Sequence, residues 1–211
     1  ARTLHVVPVV HDEADLGRLG QDVKQATMAR GGATRWHERQ AAVERAWTAI
    51  EAWARDLEVE GVHLFQDGLP VCGKEAEIVR DLAARGSRNH RLLQALVERG
   101  GRLEGTESPE LLLAEYEHAQ QVLAGEGPAP DEAAGLLGRR DAFIAALIDE
   151  VLPAGGTAIL FVGALHDVAA ALAARKSDIE VRHPLGRPGT PGDDHTAAAR
   201  DASGTTEGRT A

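Results

Sequence analysis

The sequence predicts an α/β fold, in which a single domain holds a mostly parallel sheet flanked by helices. Short apolar runs typical of strands alternate with longer segments of helical periodicity, and that alternation characterises parallel sheets. The clearest run, Thr157–Val162, is followed by Gly163, by the polar pair His166 and Asp167, and then by a helical segment. The first strand ends similarly, at His11. With 211 residues, 43% of them hydrophobic, the chain can form one sizeable core.

Five segments have strand character, and the most apolar of them is predicted to lie at the centre of the sheet, buried on both faces. In chain order the strands are Leu4–Val10, Val62–Phe65, Arg102–Leu103, Thr157–Val162 and Ile179–Arg182. Between them we predict a short helix around Leu16–Val23, a long one from Thr34 to about Leu57, and Glu75–Arg85, Asn89–Arg99, Glu110–Leu123, Asp131–Leu152 and Val168–Lys176. Ser108 and Pro109 are typical of a helix start, as a cap and a first helical residue.

The helix from Asp131 has a charged residue on its apolar side. Its predicted apolar stripe consists of Leu137, Ile144, Leu147, Ile148 and Val151. Arg140 falls on this stripe, and a buried guanidinium requires a partner of opposite charge. We therefore expect Arg140 to be buried and paired with Asp67, Glu104 or Glu107.

Composition limits the classes of partner and the cellular setting. The net charge of −10 argues against nucleic acids and anionic membranes, and no apolar run approaches the ~18 residues of a membrane span. One cysteine, Cys72, excludes an internal disulfide and fits a reducing cytoplasm. The domain is predicted over residues 1–183, and residues 184–211, which lack periodicity, are predicted to form a disordered tail. The apolar helices can pack within the chain or against a second copy.

Polar residues follow several of the strands and define the candidate site. His11, Asp67, the pair Glu104 and Glu107, and His166 all lie at or just after strand ends. In a parallel sheet these ends meet at one edge, where ligands bind. Imidazoles and carboxylates together suit Zn, Mn, Co or Fe, and such a metal can activate a water molecule near neutral pH. The alternative for each residue is a polar strand or helix end.

The remaining histidines lack a comparable context and are predicted to lie mostly on the surface. They are His5, His37, His63, His90, His118, His183 and His195.

A second motif lies between the second strand and the following helix. Gly68–Lys74 fits the first seven positions of a phosphate-binding P-loop. The eighth position, which needs a hydroxyl for magnesium, holds Glu75, whose charge repels phosphate. Nucleotide binding at Gly68–Lys74 is therefore the less favoured hypothesis, and a tight turn built on glycines is favoured.

These motifs resemble the TraB/Tiki superfamily, which groups with ChaN-like and erythromycin-esterase-like proteins. Gly163-Ala-Leu-His166 is similar to its second Gly-x-x-His element, and Pro8-Val-Val-His11 matches the first in its histidine. Arg140-Asp141 resembles its Arg-Asn pair, Asp67 stands where a glutamate is expected, and Leu103–Glu107 resembles a further acidic segment. The resemblance covers about residues 4–175.

The resemblance implies a hydrolase, peptidase-like or esterase-like, that is metal-dependent or relies on His and Glu side chains. His11 and His166 are then ligands or bases, Asp67 and Glu107 are ligands or general bases, and Arg140 holds charge. The expected cofactor is a divalent Mn, Co, Zn or Fe ion bound by His11, His166, Asp67 and Glu107. A non-catalytic binder of haem or of a small ligand is the alternative. The expected partner is a small-molecule or peptide substrate in the cytoplasm.

Overall fold

The described residues fold around a five-stranded sheet whose strands all run parallel. The computed structural model describes residues 1–10, 37–38, 40–127 and 129–186. The strands are β1 (Arg2–Val9), β2 (His63–Gln66), β3 (Arg102–Leu103), β4 (Thr157–Gly163) and β5 (Ile179–Arg182), in the spatial order β3-β2-β4-β1-β5. The predicted α/β class is confirmed, and β4 is the central strand, as its uninterrupted apolar sequence indicated.

Helices cover both faces of the sheet. They are α1 (residues 40–55), α2 (Glu75–Ala84), α3 (Arg88–Glu98), α4 (Pro109–Leu123), α5 (Pro130–Val151) and α6 (Val168–Ala174). The start of α4 is the predicted one, since the Ser108 hydroxyl accepts a hydrogen bond from the Leu111 N–H and Pro109 is the first helical residue. Residues 11–36, which include the predicted Leu16–Val23 helix, and residues 187–211 of the predicted tail lie outside the described residues.

Alternate residues of the central strands supply two separate hydrophobic cores. On one face, Ile159 and Phe161 of β4 pack with Trp47 and Ile50 of α1 and with residues of α2 and α3. On the other face, Leu160 and neighbouring strand residues pack against α5 and α6. The period-two alternation of side chains along a strand explains why an unbroken apolar run is needed when both faces are covered.

The inner face of α5 differs from the predicted stripe at its polar end. Its buried residues are Leu136, Arg140, Asp141, Ile144, Ala145 and Ile148, whereas Leu137, Leu147 and Val151 are only partly buried. The stripe is therefore rotated toward Asp141, and α5 turns two adjacent charged residues inward. Leu136 was missed because Leu137 beside it is equally apolar and the sequence does not fix the helix phase to one residue.

No helix in the described part of the chain combines the length and the apolar character that crossing a membrane requires.

Candidate functional site

The candidate site lies at the carboxyl edge of the sheet, where β2 and β4 end side by side. Gln66, the last residue of β2, pairs with Phe161, and Val9 of β1 pairs with Gly163, the last residue of β4. The polar residues that follow β2 and β4 therefore emerge at one edge of the sheet, as predicted. His11, for which the same placement was predicted, lies outside the described residues.

Asp67 ties the ends of β2 and β4 together. Its backbone N–H donates to the Phe161 carbonyl at 2.9 Å, and its Oδ2 accepts a hydrogen bond of 2.7 Å from the Gly163 N–H. The Gln66 amide donates to its other oxygen, Oδ1, at 2.9 Å. Only 4% of the Asp67 side chain is exposed, so this carboxylate is held by the backbone of the neighbouring strand inside the protein.

His166 is held by a turn and by a carboxylate. Its N–H donates to the Gly163 carbonyl at 3.1 Å, and its ring Nδ1 lies 2.6 Å from Oδ1 of Asp141 on α5. The other Asp141 oxygen accepts a hydrogen bond of 3.0 Å from the Asp167 N–H. Because a carboxylate only accepts hydrogen bonds, Nδ1 carries the proton, and a neutral ring presents its lone pair on Nε2.

The second ring nitrogen of His166, Nε2, lies near the Asp67 carboxylate. Nε2 is 3.9 Å from Asp67 Oδ2, which is too long for a direct hydrogen bond. The imidazole thus lies between two carboxylates, Asp141 on its Nδ1 side and Asp67 on its Nε2 side. Its side chain is only 5% exposed.

Arg140 and Glu107 form the second half of the site. Arg140 Nε and Nη2 each donate a 2.7 Å hydrogen bond to a different oxygen of Glu107, and Oε1 also accepts from the Gly68 N–H at 2.8 Å. Burial lowers the pKa of the Arg140 guanidinium, but its hydrogen bonds with Glu107 and the negative charges of Glu107, Glu115 and Asp67 outweigh that effect. The net pKa is raised, and Arg140 remains charged.

The expectation that Arg140 is buried and paired with one of three named carboxylates is confirmed, and the partner is Glu107. Among the described contacts, Glu104 does not pair with Arg140. It lies 2.8 Å from Nδ1 of His63. His63 is buried at 6% exposure, and so is His90 at 7%, whose Nδ1 is 2.6 Å from the Ser87 hydroxyl. The remaining histidines were predicted to lie mostly on the surface, and His63 and His90 depart from that prediction.

The loop that resembles a P-loop carries its own anion. Oε1 of Glu75 accepts hydrogen bonds from the N–H groups of Cys72 and Gly73, at 2.7 and 2.9 Å. These bonds lower the pKa of Glu75, the one from Cys72 most, and burial opposes them. Gly68 and Gly73 have φ values of 74° and 75°, as expected for the turn that was the favoured interpretation. The N–H groups that a phosphate would use are thus already hydrogen-bonded to a carboxylate.

The residues predicted to bind a metal do not assemble into a ligand set within the described ranges. Both oxygens of Glu107 are bound to Arg140, and no group of three or more His, Cys, Asp or Glu side chains there is arranged to hold a metal ion. His166 Nε2 and Asp67 Oδ2 are the two potential ligands that face one another. The described residues do not fit a metal centre. Metal binding therefore stays a prediction, and it depends on His11.

Asp141 is a site residue that the sequence analysis did not predict. It entered the sequence analysis only in the Arg140-Asp141 pair. Among the described residues, however, its carboxylate lies closer to the His166 ring, at 2.6 Å, than that of Asp67, at 3.9 Å. The available signal was its helical spacing, since Asp141, Ala145 and Ile148 lie on one face of α5. A second buried charge beside Arg140 indicates a second buried partner.

Comparison with protein-family models, with curated proteins and with solved structures finds no match for this chain.

Proposed function

We propose that this protein is a hydrolase of acyl compounds, peptide-like or ester-like, in which His166 is the general base. The observation that carries the proposal is the arrangement Asp141–His166–Asp67, with 2.6 Å on the Nδ1 side and 3.9 Å on the Nε2 side. Hydrolytic sites often contain a carboxylate that orients an imidazole through Nδ1 and leaves Nε2 to act as the base. The resemblance of Gly163-Ala-Leu-His166 and Arg140-Asp141 to the TraB/Tiki superfamily supports the same class of reaction.

The first step uses the lone pair of His166. Nε2 takes a proton from a water molecule while the water oxygen attacks the substrate carbonyl carbon, so that a tetrahedral oxyanion forms. Asp141 keeps the proton on Nδ1 and stabilises the imidazolium cation. In the second step Nε2 returns the proton to the leaving amine or alcohol as the bond from carbon to that group breaks. The products are a carboxylic acid and an amine or alcohol.

Asp67 faces the reacting nitrogen of His166. Its Oδ2 accepts a hydrogen bond from the Gly163 N–H, which fixes the position of the carboxylate. A carboxylate so placed can accept a hydrogen bond from the attacking water and can stabilise the positive charge on the ring after proton transfer. Its role in the proposal is to position the nucleophile.

Arg140 supplies the positive charge of the site. Arg140 donates the hydrogens of Nε and one of those of Nη2 to Glu107, and its Nη1 lies 3.5 Å from the half-exposed Glu115. Because a guanidinium has five N–H groups, donors remain for an oxyanion. Glu107 in this proposal holds Arg140 in place.

The test is hydrolysis of acyl p-nitroanilides and p-nitrophenyl esters by the purified chain and by two variants. We expect His166→Ala to lower kcat/KM by roughly 10²- to 10⁴-fold, and Asp141→Asn to lower kcat with little change in KM. His118→Ala is the matched control, because His118 lies on α4, 3.6 Å from Glu132, and should retain full activity. Melting temperatures establish that each variant is folded.

The same preparation distinguishes the alternative functions. Activity that survives a chelator supports the His and carboxylate route, whereas loss on chelation and recovery with Mn, Co, Zn or Fe supports the metal-dependent hydrolase. A Soret band after haem addition, without turnover of any substrate, supports the binding protein. Hydrolysis that is equal in His166→Ala and in the unsubstituted chain contradicts the proposal.

A further inference from the structure

Helix α4 carries most of the large apolar side chains that are exposed in the described part of the chain. They are Leu113, Tyr116, Val122 and Leu123. Leu113 is 59% exposed, and Tyr116, the only tyrosine of the sequence, is 42% exposed. No residue of α4 is fully buried. Exposed apolar side chains that cluster in this way, with a tyrosine among them, are typical of an interaction surface.

Three of these side chains recur at the spacing of a coiled-coil seam, and one polar residue completes the pattern. The a and d positions of two consecutive heptads on α4 are held by Leu113, Tyr116, Gln120 and Leu123, which we call the outer stripe. A strict a/d seam is narrower than the apolar face of a helix that packs on a core. It is the pattern against which a second helix packs.

The outer stripe lies on the side of α4 that is turned away from α5. Two ion pairs join α4 to α5, from Glu115 to Arg140 at 3.5 Å and from His118 to Glu132 at 3.6 Å. Glu115 and His118 each follow a stripe residue by two positions, which is about 200° around the helix. The helix α5 therefore covers the opposite side of α4 and leaves the outer stripe open.

The charged residues beside the outer stripe indicate the charge of its partner. Glu110 and Glu117 hold the e positions of the same heptads, and both are exposed. The sequence of α4 contains neither Lys nor Arg. Because charges at the e and g positions select the partner of a helix, a second copy of α4 offers these glutamates no ion pair. A helix with basic residues beside its own seam does.

We propose that the outer stripe binds an amphipathic helix of another protein, which has apolar residues at its own a and d positions and Lys or Arg beside them. Leu113, Tyr116 and Leu123 pack against the apolar side of that helix. Glu110 and Glu117 pair with its basic side chains. The interaction does not involve His166, so it is independent of the proposed hydrolase function.

The test uses two designed peptides of about three heptads, with Leu at every a and d position and either Lys or Glu at every e and g position. The like charges prevent each peptide from pairing with itself. Calorimetry with the full chain should show tighter binding of the Lys peptide than of the Glu peptide by roughly 3- to 30-fold. The double variant Glu110→Lys, Glu117→Lys should reverse this preference.

A second pair of variants tests the apolar contacts. Leu113→Ser should weaken binding of the Lys peptide by roughly 10-fold or more, because the leucine side chain is buried in the complex. Leu165→Ser is the matched control, since Leu165 is 58% exposed but lies outside α4, and it should keep the full affinity. Both positions are exposed, so both variants should keep the melting temperature of the unsubstituted chain.

Three results would overturn the proposal. The first is that the unsubstituted chain binds neither peptide or binds both equally. The second is a preference for the Lys peptide that persists in the variant with Lys at both positions. The third is a chain that sediments as a dimer and becomes a monomer in Leu113→Ser, because a second copy would then cover the outer stripe.

Discussion

Arg140 on α5 and Glu107 in the loop before α4 form a bidentate ion pair, with two hydrogen bonds of 2.7 Å. Their side chains are 8% and 1% exposed. The pair connects α5 to the loop after β2, because Glu107 Oε1 also accepts the Gly68 N–H. It thereby holds together three segments that surround the candidate site.

Removal of one member of this pair should be strongly destabilising. Arg140→Ala leaves a buried carboxylate without its counter-charge, and we expect the free energy of unfolding to fall by about 3–5 kcal/mol. Urea denaturation measures the change. Arg182→Ala, which removes an exposed pair with Glu180, is the control and should leave the midpoint unchanged. A change near zero for Arg140→Ala would contradict the buried pairing.

Asp141 should determine which nitrogen of His166 carries the proton. In the unsubstituted chain at neutral pH, the carboxylate 2.6 Å from Nδ1 favours the tautomer protonated there. Asp141→Asn can turn its NH₂ group toward the ring and so favour protonation of Nε2, which removes the basic lone pair from the site. Nitrogen chemical shifts from long-range ¹H–¹⁵N NMR report the tautomer directly. Identical shifts in both proteins would show that Asp141 does not control it.

Glu75 should contribute stability that depends on pH with a definite sign. Its pKa is lowered in the folded protein by the N–H groups of Cys72 and Gly73, so the charged form stabilises the fold at pH values above its ordinary pKa of 4.5. That contribution is lost as the pH falls through the lower folded value. Glu75→Gln should melt below the unsubstituted chain at pH 7, and the difference should vanish in strong acid. A difference that does not depend on pH would contradict the charged hydrogen bonds.

Nucleotides should not stabilise the unsubstituted chain. The N–H groups of Cys72 and Gly73 are bonded to Glu75, whose charge repels phosphate. ATP or GTP with magnesium should therefore leave the melting temperature unchanged. A ligand that binds the folded chain and is present at 100 times its Kd would raise the free energy of unfolding by about 2.7 kcal/mol. Thermal unfolding without denaturant, at fixed ionic strength, measures the melting temperature with and without nucleotide. A magnesium-dependent rise would restore the nucleotide-binding hypothesis.

Truncating a side chain in the core between the sheet and helices α5 and α6 should destabilise the protein, as it does in a close-packed interior. Leu160 of β4 is fully buried, so Leu160→Ala should lower the free energy of unfolding by about 2–5 kcal/mol. Leu113→Ala is the matched control, because Leu113 on α4 is 59% exposed and its truncation should change stability by less than about 0.5 kcal/mol. Similar losses at both positions in urea denaturation would contradict the assigned burial.

The sequence alone determined the elements and the class of the fold. Apolar runs, glycine breaks and the Ser108–Pro109 start depend on residues close together in the chain. For this reason β3 and β5 were predicted with the bounds that the structure has, and the other described strands and helices to within a few residues. The sequence also located the edge of the sheet where Asp67 and His166 meet, because a parallel sheet brings all its strand ends to one side.

Only the tertiary structure decided which polar residues contact one another. Glu107, rather than Asp67 or Glu104, binds Arg140, and Asp141, which was not among the predicted site residues, binds His166. These two pairings depend on the rotation of α5 about its axis and on the conformation of the loop between β3 and α4. A shift of one residue in helix phase turns a side chain by about 100°, and neighbouring apolar residues on α5 leave that phase open until the helix packs on the sheet.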